Sequence, residues 1–198
     1  MLNSDFIITL AWPEGKIASV GSWYDKILGL NRKYKIGHTA VILINSLTKK
    51  VYYYDFGRYD TPNGTGRVRN YKTDPELNIK HLAIIKNNKI INLSNIILEI
   101  AENKATYGEG TLYYKVLNNI NASDGIEYAK KQQDSRIISF GPFSNKSLNC
   151  GRFVYEIIEK STGSSIEKIK VIVNDLLLRI PLIKKISILF YFENIKIK

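Results

Sequence analysis

The sequence is short of the residues that build stapled or metal-held scaffolds. Its 198 residues contain one cysteine, Cys150, and two histidines, His38 and His81. One thiol closes no internal disulfide, which excludes a disulfide-built secreted scaffold. No Cys/His cluster has metal-ligand spacing, and no glycine-rich phosphate loop of the nucleotide-binding types occurs, so neither a metal nor a cofactor is expected. No uncharged apolar run approaches the roughly 20 residues that a membrane span needs. Residues 1–10 contain Asp5 and no basic stretch, and do not read as a signal peptide. The expectation is a protein that is cytoplasmic, or exported without a conventional signal peptide, with no transmembrane segment. There is no internal repeat, low-complexity linker or clear domain boundary. The chain is expected to be one domain over residues 1–198, with residues 164–198 a candidate C-terminal extension.

Acidic residues are the scarcer sign. Against 18 Asp and Glu stand 29 Lys and Arg, a net charge of +11. Such a balance attracts anionic partners: a membrane surface, a cell-wall polymer or nucleic acid. Nucleic acid is the least supported, because the basic residues are scattered and match no recognised nucleic-acid motif. The bland alternative is a solvated lysine surface. Hydrophobic residues at 44% and aromatics at 11% fit a globular chain with a substantial core.

Apolar patterning predicts an α+β chain. Residues 6–12 read as a buried strand ended by Pro13, and residues 17–30 as a helix from the spacing of Ile17, Val20, Trp23, Tyr24, Ile27 and Leu28. Arg32, Lys33 and Lys35 fall in the loop that follows. Residues 37–44 read as a central strand and residues 51–56 as its return strand in an antiparallel hairpin. With the turn centred near Leu47 and Thr48, Ala40 pairs with Asp55, and His38 lies diagonally from Asp55 on the same face. A one-residue slip would separate them. Residues 57–70, with Arg58, Arg67 and Arg69, form a loop or short hairpin, either covering a site or turning at the surface with its arginines paired to nearby acids. Further strands are expected at residues 79–86, which include His81, at 111–117 and at 137–140. Helices are expected at 93–101, 123–133 and 165–178. The tail, residues 180–198, reads as a last strand or as a basic amphipathic segment on a membrane surface, with core packing the commoner fate.

Cys150 stands where a loop turns into a helix. Phe153, Val154, Ile157 and Ile158 follow at i+3, i+4, i+7 and i+8, and Ser147 or Asn149 can cap the start. Free N–H groups and the helix dipole at such a place lower a thiol pKa. By position alone a small buried hydrophobe is the better explanation of Cys150. A histidine at a strand start, an aspartate beside it and a cysteine at a helix start are together more specific. A thiol nucleophile needs a base, and the base needs a group to orient it. His81 has no evident carboxylate partner and reads as structural.

The order Asp5-Phe6-Ile7-Ile8, then Gly37-His38-Thr39-Ala40-Val41 opening a strand, then Asn149-Cys150-x-x-Phe153-Val154 opening a helix, resembles the circularly permuted branch of the NlpC/P60 papain-like superfamily. That branch includes the lecithin–retinol acyltransferase-like and YiiX-like proteins. The stretch from Tyr54 to Asp60, with residues 66–69, also resembles a Bacteroidetes family of uncharacterised proteins. The first resemblance implies an antiparallel sheet packed against the cysteine-bearing helix, with extra helices. It implies Cys150 as nucleophile, His38 as base and Asp55, or Tyr53 if the register differs, as the third polar residue. The activity implied is a cysteine hydrolase or acyltransferase acting on an amide, ester or thioester of a cell-wall peptide, acyl lipid or protein. Asn149, Tyr53, Arg58, Arg67 and Arg69 are candidates to hold the oxyanion or an anionic substrate. The alternatives are a catalytically silent binding module of the same fold and a basic nucleic-acid- or membrane-binding protein.

Overall fold

The computed structural model describes residues 5–14, 16–18, 33–35, 37–141, 147–162 and 193–194. In chain order these form β1 (Asp5–Trp12), β2 (Lys16–Ala18), β3 (Lys33–Lys35), β4 (His38–Ile44), β5 (Val51–Gly57), β6 (Thr65–Arg69), β7 (Ile85–Lys86) and β8 (Lys89–Ile90). Then come α1 (Leu93–Glu102), β9 (Tyr113–Ile120), α2 (Ala122–Asp134), β10 (Ile138–Ser139), α3 (Cys150–Ser161) and β11 (Glu193–Asn194). Seven strands join one sheet in the order β10-β6-β5-β4-β1-β9-β11, while β2–β3 and β7–β8 are separate two-stranded ribbons. Every pairing among these strands is antiparallel. No described helix is long and apolar enough to cross a membrane.

The central strands are apolar on both faces because both faces are covered. From β4, Ala40, Ile42 and Ile44 pack with Phe6, Ile8, Leu10 and the α1 residues Ile96, Ile97 and Ile100. Val41 and Leu43 project the other way, into a cluster with Ile7, Tyr54, Phe56, Ala129 of α2 and Phe153, Ile157 and Ile158 of α3. The α+β architecture expected from the patterning is therefore built as three layers, helix, sheet and helices.

The β4–β5 register is the expected one: Ala40 pairs with Asp55, Val41 with Tyr54 and Ile42 with Tyr53. Its turn is held by Asn45, whose Oδ1 accepts from the backbone N of Leu47 and Thr48. Residues 57–70 form a hairpin, with β6 laid on β5 so that Asp55 faces Arg69 and Gly57 faces Arg67, and two of its arginines are paired with acids, Arg67 with Asp74 and Arg69 with Asp55.

Four local expectations are corrected. Ile17 and Ala18 do not begin a helix: β2 pairs with β3, which also makes Lys33 and Lys35 strand residues. The pairing joins segments too far apart in sequence for local periodicity to show. The rest of the expected 17–30 helix lies outside the described residues. The strand expected at 79–86 shrinks to Ile85–Lys86, paired with Lys89–Ile90 across Asn87 and Asn88, whose φ angles are 48° and 57°. Such φ values make the tight turn that ends the ladder. Upstream, the Ile84 N–H donates to the Asn92 side chain. The strand expected at 111–117 is shifted to Tyr113–Ile120. The helix expected at 123–133 begins one residue earlier, at Ala122, and is capped by Asn121, whose side chain accepts from Ser123 N. The expected 165–178 helix and most of the tail lie outside the described residues; Glu193 and Asn194 pair with Tyr114 and Tyr113 of β9.

Candidate active site

Helix α3 begins at Cys150. Asn149 is its N-cap, with Oδ1 accepting from Arg152 N at 2.8 Å. The loop before it is fixed from several sides. The Leu148 N–H donates to Ser139 O, the Ser147 hydroxyl to Gly141 O, and Arg152 Nη1 to Ser147 O at 2.7 Å. These bonds pin the start of α3 beside β10 and leave the Cys150 side chain partly exposed. Since the cap uses only the side-chain oxygen of Asn149, Asn149→Ala should cost about 1 kcal/mol in a urea titration, whereas Asn149→Ser or Asp should retain most of the stability.

His38 is the first residue of β4, after Gly37 at φ 75°. It sits across from Trp12 on β1 and stacks on the indole, with ring centroids 5.7 Å apart at 18°. A Cβ on Gly108 would come within 2.3 Å of that indole, so the glycine lets the chain pass over Trp12. His38 Nε2 lies 3.1 Å from Asp55 Oδ2, and with a carboxylate as its partner Nε2 carries the proton. The Cys150 side chain is also within hydrogen-bonding reach of the imidazole.

Asp55 is fully buried and densely bonded. Arg69 holds it with a fork, Nε to Oδ1 at 3.0 Å and Nη2 to Oδ2 at 2.6 Å. The hydroxyls of Tyr53 and Tyr59 donate to Oδ2 at 3.0 and 3.2 Å. Arg69 is clamped in turn: Nη1 donates to Ala105 O, and the guanidinium lies 3.4 Å from the Tyr59 ring centroid and 5.0 Å from that of Tyr107. A buried carboxylate with this many donors meets the requirement that a desolvated charge be paired and hydrogen-bonded.

The electrostatics follow. Burial alone would raise the Asp55 carboxyl, but the hydrogen bond from His38 and the Arg69 charge outweigh it and hold the pKa below the ordinary value. Burial would pull the His38 imidazole down. The hydrogen bonds to Asp55 and Cys150, and the charges of those groups, push it up to about 9 instead. Burial keeps the Tyr53 and Tyr59 hydroxyls well above the ordinary tyrosine value, so they remain protonated donors.

Of the residues singled out from sequence, Cys150, His38, Asp55, Tyr53 and Arg69 are thus brought to one place, with Asn149 at its edge. Tyr53 contacts Asp55. Arg67 and Arg58 are held elsewhere. Arg67 donates to Tyr59 O at 2.9 Å and to both oxygens of Asp74, and Arg58 lies over the Phe140 ring. His81 does have a carboxylate partner: Glu99 of α1 accepts from its Nδ1 at 2.6 Å. No sequence signal marks Trp12, Tyr59 or Tyr107 as site residues. Arg69, a candidate substrate ligand by sequence, instead holds Asp55, a place that follows only once β6 is registered on β5. Among the described residues no group of three or more His, Cys, Asp and Glu side chains could hold a metal ion.

A family model described as type VI secretion system effector TseH-like matches residues 7–166. The chain belongs to this TseH-like family. The crystal structure of the type VI secretion system effector TseH is similar, with a TM-score of 0.54 and 23% identity over 80% of this chain and 77% of that one. At that identity the likeness speaks to the fold, which is α+β with a large antiparallel sheet, consistent with a papain-like fold. No curated protein matches the chain. The TseH-like match spans β4, β5 and α3, the elements that carry His38, Asp55 and Cys150.

Proposed function

We propose that this TseH-like chain is a cysteine hydrolase or acyltransferase of the permuted NlpC/P60 kind, working as a type VI secretion system effector on an amide, ester or thioester. One observation carries the reading. The only thiol of the chain, at a helix N-terminus, and a buried carboxylate engage the same imidazole. In the proposed sequence His38 takes the Cys150 proton, using Nδ1 since Nε2 faces Asp55. The thiolate adds to the carbonyl carbon, and the oxyanion is met by the Cys150 backbone N–H, with Asn149 Nδ2 as a second donor. Collapse breaks the bond to the leaving group, which departs with the His38 proton. Water, or an acyl acceptor, then attacks the thioester, gives its proton to His38 and releases Cys150. Asp55 keeps the imidazole oriented and stabilises its charged form.

The test needs no known substrate at first. Iodoacetamide should alkylate Cys150 of the folded protein far faster at neutral pH than it alkylates a free cysteine, and His38→Ala should abolish the difference. Peptidoglycan fragments, acyl esters and glutamine-containing protein then serve as trial substrates, read by new amines, fatty acid and ammonia. A sluggish thiol that His38→Ala leaves unchanged would remove the enzymatic reading.

The raised His38 pKa also sets a pH dependence. Proton donation to the leaving group requires the imidazolium, so turnover should fall as pH rises through about 9. The accompanying stability is fully present below the unfolded value of 6.5 and is lost over the same rise through about 9. A pH profile of kcat/KM and a series of melting temperatures check both.

A further inference from the structure

The end of the sheet opposite His38 presents a surface unlike the rest of the described molecule. The β4–β5 turn and the 80–91 segment meet there. The Ala83 N–H donates to Lys49 O at 2.8 Å, and the Ile91 N–H donates to Ile84 O at 2.7 Å. Asn92 closes the group, with Nδ2 donating to Leu82 O and Oδ1 accepting from Ile84 N. The backbone is therefore anchored, and Ala83 is buried beneath it. Around that buried point the aliphatic side chains are turned outward: Leu47 is 79% exposed, Leu82 57%, Ile84 50% and Ile91 57%. Exposed apolar side chains are ordinary when scattered; grouped on one tip they mark a contact surface.

The same tip carries Lys49, Lys50, Lys80, Lys86 and Lys89, all exposed. Neither residues 45–50 nor residues 80–91 contain an Asp or Glu. Two carboxylates from elsewhere in the chain reach the tip, and both are engaged: Asp5 accepts from the Ser46 and Ala122 N–H groups, and Glu99 accepts from the Lys80 and His81 N–H groups and from the His81 ring. We propose that this tip docks the protein on an anionic lipid bilayer, with Leu47, Leu82, Ile84 and Ile91 entering the headgroup boundary and the lysines pairing with the headgroups. Composition favours lipid over an acidic protein. Protein interfaces enrich Trp, Tyr, Phe and Arg and deplete Lys, and these two segments contain no residue of the first four types. Leu and Ile flanked by lysines, whose stems can lie along apolar surface, suit a headgroup boundary. The six residue steps of β4 from His38 to Ile44 place the docking tip about 20 Å from the imidazole, so the lipid is an anchor and the candidate site faces away from it. This inference is independent of the chemistry proposed for Cys150.

The test uses the full chain with its tail intact. Flotation with phosphatidylglycerol/phosphatidylcholine vesicles should recover the protein, and pure phosphatidylcholine should not. Leu82→Ser/Ile84→Ser/Ile91→Ser and, separately, Lys49→Glu/Lys86→Glu/Lys89→Glu should each weaken binding at least about tenfold, with unchanged melting temperature. An Ile84→Trp variant should blue-shift its emission, relative to the parent, on anionic vesicles and not on polyglutamate. No recovery of the parent protein at low salt would overturn the proposal. So would full binding by both triple variants, which would move the contact elsewhere. Binding that ignores the serine substitutions would reduce it to charge attraction without insertion. A shift with polyglutamate and not with vesicles would assign the tip to an acidic protein instead.

Discussion

Cys150→Ser and His38→Ala should each lower turnover by about a thousandfold or more, and combining them should cost little beyond the worse single change. The non-additivity follows from the arrangement. A thiol without its base stays protonated, and an imidazole without the thiol has no nucleophile to activate, so either loss removes the same step. Cys150→Ser should leave the core intact, because Cys150 stands at the partly exposed edge of α3, whereas His38→Ala also removes a buried imidazole stacked on Trp12 and bonded to Asp55 and should lower the melting temperature. A cooperative unfolding transition that stays above the assay temperature separates lost chemistry from lost fold. His81→Ala serves as the control: it removes an exposed imidazole tied to Glu99 and should leave turnover unchanged. Substantial turnover by Cys150→Ser, or independent and additive losses, would take these residues out of the proposed mechanism.

How much of this could be read from the sequence depended on how local the cause is. Ala40 meets Asp55 because Asn45 and the residues after it specify a short turn, and the alternation along both strands then places His38 and Asp55 on one face. The helix at Cys150 was legible because its apolar spacing and its cap lie within a few residues. Whether Asp55 or Tyr53 faces the imidazole was not legible, since alternation puts both on the same face. The register brings Asp55 nearer, and the Tyr53 hydroxyl donates to it. That Arg69 pairs with Asp55, and that Tyr59 joins the site at all, is not legible for a different reason: their places depend on how residues 58–64 fold back, which no periodicity describes. Trp12 and Tyr107 reach the site from remote parts of the chain. The Glu99 partner of His81 comes from a helix packed on an irregular segment, where no repeat fixes which side chains meet.

Arg69→Met should cost about 3–5 kcal/mol of stability at neutral pH, the range for removing one partner of a buried ion pair. Asp55 lies wholly inside the protein, and Arg69 supplies both its fork and the neighbouring positive charge. Methionine fills similar space and can still lie against Tyr59 and Tyr107, so the loss reports the charge and the donors more than a cavity. Lysine is a poor rescue, because one ammonium cannot reproduce the fork and the stacked plane together. The sign of the pH dependence gives a sharper check. In the parent the lowered Asp55 pKa contributes stability above the ordinary value of 3.8, and that contribution is lost as pH falls through the lower folded value. In Arg69→Met the carboxyl rises, so the deficit relative to the parent should narrow from pH 7 toward pH 4, and Asp55→Asn/Arg69→Met should be more stable at pH 7 than Arg69→Met alone. Urea titrations of the three variants at both pH values measure this directly. A deficit that stays constant with pH, and that Asp55→Asn fails to relieve, would mean that Arg69 stabilises the site by packing on the tyrosines and not by compensating the buried carboxylate.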